Sequence, residues 1–147
     1  MEPNIHSTLM DYFKGKHPGT SKKNEFLIQV IEDFKTDDDM SILNTLYELS
    51  SQLSVADDSL GDDPNTLIVL KELIKQLDKV YLMPEIAITS MLCINYLVDN
   101  NPRYHSTICK TGGLAKIVQL TQNIEYIDLA ENAIKCIEKL SLECPYN

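Results

Sequence analysis

The sequence predicts an all-α chain stacked as a right-handed α-solenoid of about three repeats. Three observations carry that expectation. Apolar residues recur at three- and four-residue steps through most of the chain, and no long stretch alternates apolar and polar residues as a half-buried strand would. The register Ala133-Ile134-x-x-Ile137-x-x-Leu140 returns as Ser90-Met91-x-x-Ile94-x-x-Leu97, and again as Ile42-Leu43-x-x-Leu46-x-x-Leu49. The two intervals, Leu43 to Met91 and Met91 to Ile134, differ in length by only a few residues. An ordinary bundle has apolar periodicity but no reason to hold one register at such even spacing. Both intervals lie at or near the ~40–47 residues of armadillo and HEAT units, which hold two or three helices each. Such units bury their apolar faces by stacking on copies of themselves.

Residues 1–20 form a terminal arm or a short capping helix, with Ile5, Leu9, Met10 and Phe13 on one side and breakers at Gly15 and Pro18-Gly19. The repeat domain follows, residues 21–147. Ser21 can start its first helix, whose face carries Phe26, Leu27, Val30, Ile31 and Phe34. Thr36 and the run Asp37-Asp38-Asp39 stop that helix and cap the next, because a helix N-terminus favours carboxylates. The first long helix then spans about Met40 to Ser54. The acidic loop Val55–Asp63 absorbs the extra residues of the longer interval, since loops tolerate insertions.

Asp63-Pro64 is a helix start, with a capping carboxylate followed by proline at the first helical position. Leu67, Leu70, Leu73, Ile74 and Leu77 make the stripe of the helix it opens. Pro84 opens a second long helix that ends near Asp99-Asn100-Asn101, and Pro102 begins a short helix carrying Ile108. A break at Gly112-Gly113 separates it from another short helix with Leu114, Ile117 and Val118. The polar turn Thr121-Gln122-Asn123 leads into the third long helix, from about Tyr126 to Glu143, with Ile127, Ala130, Ala133, Ile134, Ile137 and Leu140 as its stripe. Pro145 breaks it. No capping repeat follows, so Leu120, Leu129 and Leu140 are expected to belong to or border an apolar end face, as in a piece of a longer protein.

Composition narrows the function. A net charge of -9 argues against a phosphate-binding surface, which needs clustered Lys and Arg. From Ile31 to Asp63 there are ten acidic residues and one basic one, Lys35. This is either a solvated rim or a surface for a basic partner segment. No apolar run approaches the ~20 residues of a spanning helix, and Met1–Phe13 lacks the pattern of a secretory leader. Cys93, Cys109, Cys136 and Cys144 form no C-x-x-C pair, and Cys93 and Cys136 fall at one register position, as core thiols do. A reducing compartment, cytoplasmic or nuclear, is expected.

No catalytic, metal or cofactor constellation emerges. Asp37-x-Asp39-x-Ser41 with Glu48 has the outline of a calcium loop, but Ile42 stands where the turn needs glycine. His6, His17 and His105 lack ligand spacing. Gly112-Gly113 lacks the Lys-Ser/Thr and the preceding strand of a phosphate loop. His105 and Cys109 share a helical turn with no orienting acid in sight.

The stretch from Asn100-x-Pro102-Arg103 to Cys109-Lys110-Thr111-Gly112-Gly113-Leu114-Ala115-Lys116-Ile117-Val118 resembles the armadillo repeat. Three pieces are similar, more narrowly, to the armadillo-like region of HECT-type E3 ubiquitin ligases of the ubiquitin-fusion-degradation and thyroid-receptor-interacting class. They are Leu46-x-x-Leu49 with Asp57-Asp58-Ser59-Leu60-Gly61 and Pro64; Ile86–Leu97 with Asn101-Pro102-Arg103; and Ile124-x-x-Ile127-Asp128-Leu129-Ala130-Glu131-x-Ala133 through Ser141. The resemblance implies a non-catalytic scaffold that recruits protein substrates, including basic segments, or acceptor ubiquitin, while a distant HECT domain supplies the chemistry. A free-standing armadillo adaptor is the alternative. Import-type adaptors grip basic peptides with a Trp and an Asn four residues later on each long helix. Here those pairs are Asn44/Glu48, Leu92/Tyr96 and Lys135/Lys139, and the chain has no Trp. The same positions, with Asp99, are the expected protein-binding groove, and Leu92 with Tyr96 is its apolar anchor.

Overall fold

The computed structural model describes residues 18–55 and 63–143, and every regular element among them is helical. The order is α1 (Pro18–Phe34), α2 (Asp39–Ser54), α3 (Pro64–Gln76), a 3₁₀ turn (Leu77–Tyr81), α4 (Pro84–Asn100), α5 (Arg103–Lys110), α6 (Gly113–Leu120) and α7 (Ile127–Glu143). Residues 1–17, most of the expected terminal arm, lie outside the described residues, as do residues 56–62 of the acidic loop and Cys144.

Local chemistry explains most of the boundaries. Asp38 caps α2, accepting hydrogen bonds from the Met40 amide at 3.1 Å and the Ser41 hydroxyl at 2.9 Å. Those bonds, the Ser41 hydroxyl foremost, hold its carboxyl below the ordinary value. Asp38, which lies between the Asp37 and Asp39 of the calcium-loop outline, is thus a helix cap. Asp63 does the same for α3 through the Asn65 amide at 2.8 Å, with Pro64 at the first position. Two glycines make the α5–α6 corner for different reasons. Gly112 sits at φ +81°, a left-handed conformation that L side chains resist. A Cβ on Gly113 would meet the Ile74 side chain at 3.0 Å and the Ile108 carbonyl at 3.2 Å. The corner lets α6 approach the end of α3.

The helices lie in two layers. The long helices α2, α4 and α7 pack side by side, α2 on α4 and α4 on α7. Beneath them α1 supports α2, α3 supports α4, and α6 supports α7, while α5 touches α4, α6 and α7. The core runs along the seam and includes Leu46, Leu70, Leu73, Met91, Ile94 and Cys136, all fully buried. Polar ties join neighbouring helices. The Thr45 hydroxyl donates to Asp33 at 2.8 Å, the Gln76 amide to the Phe34 carbonyl at 3.4 Å, and the Asn95 amide to the Asn132 carbonyl at 2.8 Å.

Several expectations are corrected. α1 begins at Pro18 rather than Ser21, because proline needs no amide partner in a first turn. The chain leaves α3 through a 3₁₀ turn, so Leu77 packs from that turn and not from the helix. In α7 the buried stripe is Leu129, Ala133, Cys136 and Leu140, with Ile137 packed against it, whereas Ile127 and Ile134 are 65% and 46% exposed. Leu120, Leu129 and Leu140 are buried, so they do not themselves form an exposed end face. The uncovered apolar residues at that end are Val118, Ile124, Ile127 and Ile134, for which the described residues supply no further helix.

Candidate functional site

α4 has neighbours on three sides, and only one line of it reaches solvent. Along that helix Glu85, Ile88, Leu92, Tyr96 and Asp99 are exposed or half-buried, at steps of three and four, while the residues between them are buried. This line is the side of α4 turned away from α3. On α2 the exposed residues include Asn44, Tyr47 and Glu48, and on α7 they include Lys135, with Lys139 half-buried.

Two interactions fix these lines on one face. The Glu85 carboxylate acts on the Tyr47 hydroxyl, raising the phenol's pKa above its usual value. Lys139 pairs with Asp99 at 2.6 Å, so Lys139, and with it Lys135 one turn earlier, lies on the same side. All seven expected groove residues therefore reach the surface of the three long helices. Leu92 and Tyr96 stand mid-way along α4, and Asp99 with Lys139 bridges α4 and α7. Sequence reasoning passed over Tyr47, Glu85 and Ile88. Extending the spacing upstream from Leu92 by four and then three residues finds Ile88 and Glu85, and Tyr47 lies three residues past Asn44.

Charge is unevenly spread over the long helices, and α7 sets Lys135 and Lys139 among the exposed Asp128, Glu131 and Glu138. Across α2 and α4 there are carboxylates and no Lys or Arg. Asp39 is held by Lys79 and Asp99 by Lys139. Glu48 and Glu85 have no ion-pair partner among the described residues.

Nothing on this face resembles a catalytic centre. Cys93 and Cys136 are fully buried, and burial pushes both thiols up to about 12. His105 is buried with its Nε2 3.2 Å from the Val98 carbonyl, and Cys109 is half-buried on the same short helix. Among the described residues no group of three or more His, Cys, Asp or Glu could hold a metal ion. None of the described helices is long and apolar enough to cross a membrane. A cavity of about 360 Å³ lies elsewhere, between the 3₁₀ turn and the end of α6. Its charged lining is the ion pair Lys116–Asp78, at 3.1 Å.

The family model described as "E3 ubiquitin-protein ligase TRIP12-like, TPR repeats" matches residues 1–147, the whole chain. The chain belongs to the TRIP12-like E3 ubiquitin-protein ligase repeat family. No curated protein and no solved structure matches it. The family description speaks of TPR repeats, which are helix pairs with a period of about 34 residues. In this member the long-helix register, Leu43 to Met91 to Ile134, recurs at clearly longer intervals. α7 is also preceded by two short helices rather than one. Membership in this family identifies the segment as a helical repeat region of an E3 ligase, which suits protein partners.

Proposed function

We propose that the segment is a non-catalytic scaffold of a HECT-type E3 ubiquitin ligase, a right-handed armadillo-like solenoid of about three repeats. Its open long-helix face receives a protein substrate or acceptor ubiquitin, in the cytoplasm or nucleus. One observation carries this reading. In a chain of an E3 ligase family, α2, α4 and α7 leave a single continuous face whose centre is the half-buried apolar line Ile88, Leu92 and Tyr96. A residue of that kind gains more from contact than a fully hydrated one, and aromatic anchors dominate many interfaces. The two short helices before α7 and the long intervals between register positions favour the armadillo type over the shorter TPR helix pair.

The test is a titration of ¹⁵N-labelled chain with ubiquitin and, separately, with substrate proteins of the ligase. Amide shifts are expected along Leu92–Asp99 and Lys135–Lys139, and Tyr96→Ala should weaken binding about tenfold, on the order of 1.4 kcal/mol, without lowering Tm. Shifts confined to another face would overturn the reading. An open reading frame that encodes no HECT domain would overturn the ligase assignment and leave a free-standing adaptor.

A further inference from the structure

The three long helices run the same way. Lys79, just before α4, pairs with Asp39 at the start of α2, and farther along the Cys93 thiol lies 3.9 Å from the Leu46 carbonyl. Between α4 and α7 the Asn95–Asn132 bond is followed by the Asp99–Lys139 pair. The N-terminal ends of α2, α4 and α7 therefore fall on one edge of the two layers. The four most exposed large apolar side chains among the described residues stand on that edge: Ile124 at 91%, Leu82 at 83%, Tyr81 at 82% and Ile127 at 65%. Met40, in the first turn of α2, is exposed there as well. Among the described residues at the opposite ends of these helices, only Val55 is comparably exposed.

We infer that this edge is a second docking surface, separate from the Leu92–Tyr96 line, and that it receives a basic amphipathic helix of a partner protein. Exposed apolar residues scattered singly need no explanation, but gathered on one edge they mark an interaction site. Contacts show that they are gathered. The Lys79–Asp39 pair joins the 3₁₀ turn to the start of α2, beside Met40. On its other side the turn shares the cavity of about 360 Å³ with the end of α6 and with Gln122-Asn123, which lead to Ile124. The buried part of the cavity lining is apolar, Leu77, Val80 and Leu120, and its charged part is already satisfied by the Lys116–Asp78 pair. A bulky apolar side chain of the partner belongs there, between Leu82 and Ile124.

Charge selects the occupant. Asp37, Asp38, Glu85, Glu125 and Asp128 are exposed in or just before the first turns, with no cation paired to them among the described residues. Lys75, Lys79 and Lys116 are held by Glu72, Asp39 and Asp78, which leaves Lys35 as the one cation on this edge without a partner among the described residues. A helix N-terminus favours carboxylates for its own sake, so the acids alone mark nothing. Beside exposed apolar residues they repel an acidic partner and attract a basic one. A helix suits the edge because it satisfies its own main chain and needs only side-chain contacts. Packed helix axes lie about 8–10 Å apart, and residues seven apart on one helix are separated by about 10.5 Å along its axis. The occupant therefore carries bulky apolar residues at i, i+7 and i+14, over Met40, over Tyr81 with Leu82, and over Ile124, with Lys or Arg flanking them.

The experiment follows the anisotropy of a fluorescein-labelled peptide, with Leu at i, i+7 and i+14 and Lys between them, against the full 147-residue chain. The peptide is expected to bind and to gain helical circular dichroism as it does. Replacing its Lys by Glu, or shuffling the same composition, should weaken binding at least tenfold. Leu82→Ser with Ile124→Ser should lose the Lys peptide by a similar factor at unchanged Tm, and Val55→Ser, at the far end of α2, should not. No binding, binding without a gain of helix, equal binding of the Glu or shuffled peptide, or equal losses in Val55→Ser and the double variant overturns the inference. Sedimentation that shows the unaltered chain self-associating and the double variant monomeric would assign the edge to a second copy, and overturns it too.

Discussion

α4 and α7 are both 17 residues long and share one register, yet they bury different fractions of it. Met91 in α4 is fully buried, and its counterpart Ile134 in α7 is 46% exposed. Asn95 is buried and reaches across to α7, while its counterpart Glu138 is exposed. The difference lies in the surroundings. α4 has a long helix on each flank and α7 has one among the described residues. Periodicity marks which residues could be covered; the neighbours decide which ones are.

The largest break in this comparison comes from the shared position itself. Met91→Asp would bury a carboxylate without a partner and should take several kcal/mol, on the order of the whole folding free energy. Ile134→Asp should change stability by no more than about 0.5 kcal/mol, as surface substitutions do. Urea unfolding followed by circular dichroism distinguishes the two, and equal losses would mean that the outer flank of α7 is covered in solution.

The corner under α7 ranks next. Gly113→Ala forces a methyl group against Ile74 and the Ile108 carbonyl and should take about 1–3 kcal/mol, whereas Gly112→Ala has room and suffers only the left-handed conformation, about 1–2 kcal/mol. Differential scanning calorimetry on the two variants, with Gly112→Asn as the milder change, orders them.

The link between the compared helices should be smaller still. Asn95→Ala removes one hydrogen bond and is expected to lose about 1 kcal/mol, while Glu138→Ala should be silent in the same unfolding assay.

The finest difference is chemical. Cys93 and Cys136 have thiols raised to about 12 by burial, so the folded state favours the protonated form. Their contribution is fully present below the unfolded thiol's pKa, near 9, and is lost as pH climbs from there toward 12. At pH 8 both should resist alkylation until the chain unfolds, with Cys109 reacting earlier, as mass spectrometry of a Cys144→Ser variant would reveal.

Much of this architecture was legible before any coordinates. The caps Asp38 and Asp63, the Gly112-Gly113 corner and the starts at Pro64 and Pro84 are local chemistry, so sequence suffices for them. Leu92, Tyr96 and Lys139 were legible as surface positions because a repeat register carries from one helix to the next. The outward turn of Ile127 and Ile134 was not legible, since isoleucine at helical spacing reads the same whether or not another helix covers it. Nor was the influence of Glu85 on Tyr47, residues far apart in the chain whose approach depends on how far α4 slides along α2. The 3₁₀ turn escaped because Leu77 continues the apolar spacing of α3 while the backbone tightens.

The bond from Asn95 ends on the main-chain oxygen of Asn132, not on its side chain. Every residue type offers that oxygen, so position 132 can vary freely without loosening the grip, whereas position 95 cannot give up its amide. Inheritance at this joint is therefore lopsided. Drift should accumulate on the α7 side, while the other polar link between these helices, Lys139 to Asp99, needs its side chain on both partners.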